Sequence, residues 1–245
     1  MDEIDQEIFH ELFRRPLPDG AIAGEVNTLI ETYGVDRLNL ARDRRGIPLL
    51  HKAITTNTHD PKGPAGDQPP EIRQALKDQR LEALLAGGLD PDVRDDERTA
   101  LYMAVVHEEA AVEALLRHGA DVHAHDGSGN TALHCAAQCS TVPVMQTLLD
   151  YGAKIDAPNR DGDTPLALAV QWSEIENTKF LLDRGADPAL AVHSQAWERA
   201  KEMRIRRRDE CMNMVRCEAE RKELHQAADV EQSTDAPAPR ARRRL

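Results

Sequence analysis

One phrase recurs along this chain at a nearly fixed interval. NTALHCAA at residues 130–137 is echoed by GDTPLALAV at 162–170, RTALYMAV at 98–105 and GIPLLHKAI at 46–54. Each holds a leucine followed three residues later by alanine: Leu50/Ala53, Leu101/Ala104, Leu133/Ala136 and Leu166/Ala169. A second phrase trails each one, LEALLAGGLDP, VEALLRHGADV, MQTLLDYGAKI and TKFLLDRGADP, with its glycine at 88, 119, 152 and 185. Those glycines are 31, 33 and 33 residues apart, so one structural unit is being repeated. A chain made this way folds as a stack, because one short helix pair cannot bury its apolar face and must cover it with a neighbour.

Each unit reads as turn, short helix, second helix and loop. Thr131 is placed to cap the first helix through its hydroxyl, and Pro165 stands where a helix tolerates proline, in its first turn. Met145, Leu148 and Leu149 make the apolar stripe of a second helix. Gly152 ends that helix, since the left-handed conformation just past a helix costs glycine little. The small alanines at 136, 137 and 169 let neighbouring helices approach closely.

These phrases resemble the ankyrin repeat, with its T-P-L-H-x-A and L-L-x-x-G-A-D signatures, over about residues 43–190. The resemblance implies an all-α ankyrin-repeat solenoid, built of stacked helix-turn-helix units with β-turn tips, plus a C-terminal helix. Units three (126–158) and four (159–190) match closely, whereas unit two (95–125) lacks the turn glycine. Unit one has 37 residues from His51 to Gly88 where unit three has 18 from His134 to Gly152, and the excess, rich in Pro and Gly, is expected to form an exposed insertion loop at 57–71 within the repeat region 41–192.

Residues 1–40 are expected to supply capping helices and a degenerate unit, with Ile4, Ile8, Phe9, Leu12 and Phe13 on one helical face. Trp197 and Ala200 repeat the leucine-plus-three spacing, so residues 195–203 read as the first helix of an incomplete fifth unit. Within the segment 193–226, residues 196–226 also read as one long charged helix, free of Gly and Pro. Residues 227–245 are expected to be a disordered basic tail.

The neighbours His134, Cys135 and Cys139 raise the question of a thiol or metal centre. In ankyrin repeats the signature histidine bonds neighbouring loop backbone, which the resemblance implies for His51 and His134. A cysteine nucleophile would need a positioned base and an oxyanion site, and structural zinc would need a second cysteine pair; neither accompanies these residues, and Cys211 and Cys217 stand six apart. His118, His123 and His125 group loosely around Gly119, where exposed loop positions are expected over a pH-responsive or metal-binding patch. The sequence holds no G-x-x-x-x-G-K, H-E-x-x-H or G-x-S-x-G. We therefore expect no catalytic residue, no metal and no cofactor.

Few cysteines, an acidic start and the lack of a long apolar run favour a soluble intracellular protein, cytoplasmic, nuclear or both, with no membrane partner. Residues 1–192 carry 18 basic and 33 acidic side chains, and residues 193–245 carry 13 and 10. The repeats should repel nucleic acid and favour basic or mixed protein surfaces.

By the same resemblance, partners of such stacks contact the turn tips and the exposed side of the first helices, which line a concave face. Mapped here, unit two gives Arg94, Asp95, Asp96, Val106 and His107. Unit three gives His125, Ser128, Asn130, Gln138 and Cys139; unit four gives Arg160, Asp161, Asp163, Gln171 and Trp172. Trp172 reads equally well as an interface anchor or as packing for the C-terminal helix. The clusters Arg204–Arg208 and Arg240–Arg244 read either as import signals or as a solvated charged helix and tail. The expectation is a non-enzymatic protein–protein interaction adaptor, regulatory and specialised as a transcriptional co-regulator. Two alternatives remain: a nucleic-acid-binding protein using the arginine-rich C-terminal helix, and an enzyme with an unrecognised thiol site around Cys135, Cys139 and His107.

Overall fold

A computed structural model describes residues 3–14, 21–55, 70–139, 141–202 and 206–234. The chain opens with helices α1 (Glu3–Arg14), α2 (Ala21–Tyr33) and α3 (Val35–Leu40). The repeating pairs follow: α4 (Leu49–Thr55) with α5 (Pro70–Ala86); a short hairpin of β1 (Arg94–Asp95) and β2 (Arg98–Thr99) leading to α6 (Ala100–His107) and α7 (Glu109–Arg117); α8 (Ala132–Cys139) with α9 (Val142–Asp150); and α10 (Pro165–Trp172) with α11 (Ile175–Asp183). A short helix α12 (Pro188–Val192) leads to α13 (Gln195–Glu202) and α14 (Arg206–Thr234).

The helices stack in two rows. First helices pack in the order α4, α6, α8, α10, α13, and second helices in the order α2, α5, α7, α9, α11, α14. The alanine of every leucine-plus-three pair, Ala53, Ala104, Ala136, Ala169 and Ala200, is at most 1% exposed, which is how first helices come within contact of each other. Leucines from both rows fill the space between, with Leu50, Leu101, Leu133, Leu148 and Leu166 buried in one continuous core.

The glycines that end second helices, at 88, 119, 152 and 185, all have φ near +90°. Beyond them a ladder ties the outgoing loops together. Asn39 accepts the N–H of Asp90, Asp92 that of Asp121, and Asp156 that of Asp187, each within 3.0 Å.

Several expectations need correction. α5 is 17 residues long where α7, α9 and α11 have nine, and it begins at Pro70, so residues 70 and 71, the end of the expected insertion loop, are helical. The rest of that loop, residues 56–69, lies outside the described residues. Ile4 is 43% exposed and does not join Ile8, Leu12 and Phe13 in the core.

The long C-terminal helix is two helices, α13 and α14. Ala196, Trp197 and Ala200 of α13 are buried, and α13 packs on α10, whereas Cys211, Met212 and Val215 of α14 are buried, and α14 packs on α11 and α12. α14 also continues to Thr234, so residues 227–234 are helical rather than disordered; they contain no Gly or Pro, and the first proline beyond them is Pro237. The remainder of the tail, 235–245, lies outside the described residues, as does the start of the first basic cluster.

Candidate partner-binding surface

The tips are built from one device. Asp43, Asp126 and Asn159 each turn a side-chain oxygen onto two backbone N–H groups, those of Arg45 and Ile47, Ser128 and Asn130, and Asp161 and Asp163, at 2.8–3.0 Å. The turn then needs a left-handed residue, supplied by Gly46, Gly129 and Gly162 at φ +79°, +81° and +77°. Unit two, without that glycine, tightens into the β1–β2 hairpin with Asp96 at φ +50°, aspartate being among the few residues that accept this region.

Successive tips are joined side to side. Arg94 donates to the His125 carbonyl at 2.9 Å, the Asn159 amide donates to Asn130 Oδ1 at 2.8 Å, and the Arg160 N–H donates to the Ser128 carbonyl at 3.0 Å. A Cβ on Gly129 would stand 2.9 Å from the Arg160 nitrogen, so the tips of units three and four meet backbone to backbone.

His134 and His51 hold the tips from beneath. The His134 Nδ1 accepts the Thr131 N–H at 3.2 Å, which leaves Nε2 protonated and donating to the Asp163 carbonyl at 3.1 Å. His51 does the same to the Arg98 carbonyl at 3.2 Å, but its unit has Pro48 in place of the threonine and its Nδ1 has no partner. Burial lowers the pKa of both rings and keeps them neutral. The Thr131 hydroxyl lies against the same Nδ1 at 2.9 Å rather than on a helix N–H; the capping expected there is made by Thr99 on the Tyr102 N–H and Thr164 on the Ala167 N–H.

Of the cysteine pair, Cys135 is buried in the core and Cys139 is exposed at the end of α8. Cys135 and Cys139 lie 3.7 Å apart, sulfur to sulfur, and the Cys139 thiol donates to the Cys135 carbonyl. The hydrogen bond with Cys139 and burial push the Cys135 thiol up, the reverse of what a nucleophile needs. The histidine group is dispersed: His118 bonds Glu82 at 2.9 Å between second helices, while His125 sits on a tip. Among the described residues no three His, Cys, Asp or Glu side chains are placed to share a metal ion.

The fifteen mapped positions therefore divide. Arg94, Asp96, His125, Ser128 and Arg160 are exposed on the tips, with Asp95 and Asn130 half-buried among them. Asp161 is exposed and lies 3.5 Å from Arg199. Asp163 does not belong to the surface: it is fully buried, accepts the Ala196 N–H at 2.6 Å and pairs with Arg199, so it docks the fifth unit onto the fourth. No motif announces Arg199; the signal was a pair of aspartates one unit earlier.

At the far ends of the first helices, Gln138 and Gln171 are half-buried, and the Gln171 carbonyl accepts from Arg208 at 2.9 Å. Val106 is 44% exposed and Trp172 58% exposed, whereas the other tryptophan, Trp197 of α13, is buried at 1%. Trp172, Cys139 and His107 each stand six residues after their unit's leucine, at equivalent places on three adjacent helices, and all three are exposed.

The sequence of this stack was compared with known proteins. Residues 72–159 and 109–191 match the family model described as ankyrin repeats, three copies. The chain belongs to the ankyrin-repeat family. A comparison with curated proteins finds no match. The family model begins inside α5, whereas the ankyrin stack seen here continues on both sides of it, through α4 toward the N-terminus and through α13 and α14 toward the C-terminus. Ankyrin stacks are interaction scaffolds, and no helix among the described residues is long and apolar enough to cross a membrane.

Proposed function

We propose that the chain is a non-enzymatic adaptor that holds a partner protein on the tips and first-helix ends of units two to four. One observation carries this reading: a tryptophan left mostly in water, in register along the row of first helices with exposed Cys139 and His107, on a scaffold that buries its other tryptophan completely. Tryptophan is a common anchor of protein interfaces, and the tip charges of the same units, Arg94, Asp96 and Arg160 among them, make a mixed polar surface.

The role we favour is regulatory and intracellular, as a transcriptional co-regulator, with the arginine-rich ends as its support. That support now rests on Arg240–Arg244, because Arg208 of the first cluster is 4% exposed and holds the Gln171 carbonyl. The same burial counts against a nucleic-acid-binding C-terminal helix, as does the net charge of −15 on residues 1–192.

The test is capture of partners from native extract by the full chain, by Trp172→Ala and by Lys179→Ala on the opposite row. A partner should survive Lys179→Ala and lose about tenfold or more in affinity on Trp172→Ala. Equal capture by all three would refute the reading. Truncation after residue 192 is unsuited, because it strips the cover from α10 and α11.

A further inference from the structure

A cleft of about 540 Å³ opens between α1 and the tip of unit one, remote from Trp172. Its floor is apolar: Phe9, half-buried, and Phe13, 8% exposed, stack with ring centroids 5.8 Å apart. Its opposite wall carries Arg44, Arg45 and Lys52. Both carboxylates that line it are already engaged. Glu7 accepts from the Tyr33 hydroxyl, and Asp43 accepts the Arg45 and Ile47 N–H groups and pairs with Lys52 at 3.4 Å.

Arg44 and Arg45 remain: they are exposed and form no ion pair among the described residues. A further cation lies behind the floor. The Arg80 guanidinium stands 5.1 Å from the Phe13 centroid, and its buried Nε has no hydrogen-bond partner. Adjacent unpaired arginines over a phenylalanine pair thus give one locally positive, apolar-floored cleft on a body that is otherwise strongly acidic.

We propose that this cleft binds an acidic peptide segment of a partner protein, with carboxylates on Arg44 and Arg45 and an aromatic or branched apolar side chain against Phe9. The occupant follows from charge and from exposure. A single ion pair in water contributes little, so an isolated small anion gains little here, whereas a ligand with several carboxylates flanking an apolar group uses both walls at once. The cleft is bounded by the first tip of the row, which leaves it open to an extended chain. This assignment does not depend on the Trp172 face.

The test is fluorescence polarisation with a labelled peptide of eight glutamates around a central phenylalanine, binding to the full-length protein. The peptide should bind, and binding should weaken with added salt. It should fall at least about tenfold on Arg44→Glu with Arg45→Glu, by a comparable factor when the peptide's phenylalanine is replaced by alanine, and vanish when its glutamates become lysines. Unchanged far-ultraviolet circular dichroism and urea midpoint would show the charge-reversed protein to be folded. Failure of the parent protein to bind, or equal binding by the charge-reversed form, overturns the proposal. Arginine-dependent binding of anilinonaphthalene sulfonate without binding of the peptide also overturns it, in favour of a small aromatic anion.

Discussion

His134 is neutral in the folded chain because its Nδ1 is an acceptor and its ring is buried, and this gives stability a pH dependence of definite sign. Its folded pKa lies below the unfolded value of about 6.5, so the unfolded chain binds the proton more readily and stability falls with acidity. The contribution is complete above about pH 6.5 and is lost progressively as pH drops below it. Urea midpoints measured from pH 7.5 to pH 5 should decline, and His134→Ala, less stable throughout, should decline less steeply. An identical slope would show that this ring does not carry the effect. The motif made the histidine's role legible, but not its partner at Thr131, since a hydroxyl three residues before a histidine reads equally well as a helix cap.

Among the glycines, two kinds are predicted to differ. Gly152→Ala meets open space and should cost only the left-handed backbone penalty of about 1–2 kcal/mol. Gly129→Ala adds a clash with the Arg160 backbone and should cost more, as read from denaturation. For the thiols, iodoacetamide on the folded protein should label exposed Cys139 and Cys217 well before buried Cys135 and Cys211; rapid labelling of Cys135 would reopen the thiol-enzyme reading.

The helices of units two to four could be read from the period alone, because an apolar stripe and a terminal glycine at each turn of the repeat leave one packing solution. Of the C-terminal part, only α13 could, from the spacing of Trp197 and Ala200. α14 lacks the signature phrases, and its helix-forming charged residues read as a continuation of the same rod until the burial of Trp197 toward α10 and of Cys211 and Val215 toward α14's own partners separates the two. The same holds for Asp163: its place on a tip marked it as surface, and only the arrival of α13 turns it into a buried link.

Coupling between neighbours follows from this packing. Leu148→Ala should create a cavity costing about 2–5 kcal/mol. Because contacts are nearest-neighbour, hydrogen exchange should quicken in α10 and α11 as well as in α8 and α9. Faster exchange confined to α9 would contradict a coupled stack.

At the scale of the molecule, the chain is one continuous stack, covered at one end by α1 and α2 and at the other by α13 and α14, with an acidic body and two surfaces of distinct character. The tip row and Trp172 were legible as candidates once the repeat was aligned. The cleft beside Phe9 and Phe13 was not, because it joins residues from a capping helix to a tip some thirty positions later, a juxtaposition no local pattern encodes.

The central claim is that recognition of a protein partner lives on the tips and first-helix ends. Hydrogen exchange on the chain with and without its captured partner tests it most directly. Exchange should slow at the tips around Asp96, Ser128 and Asp161 and at the ends of α6, α8 and α10 around His107, Cys139 and Trp172. Protection confined to the second-helix row, α7, α9 and α11, would contradict it.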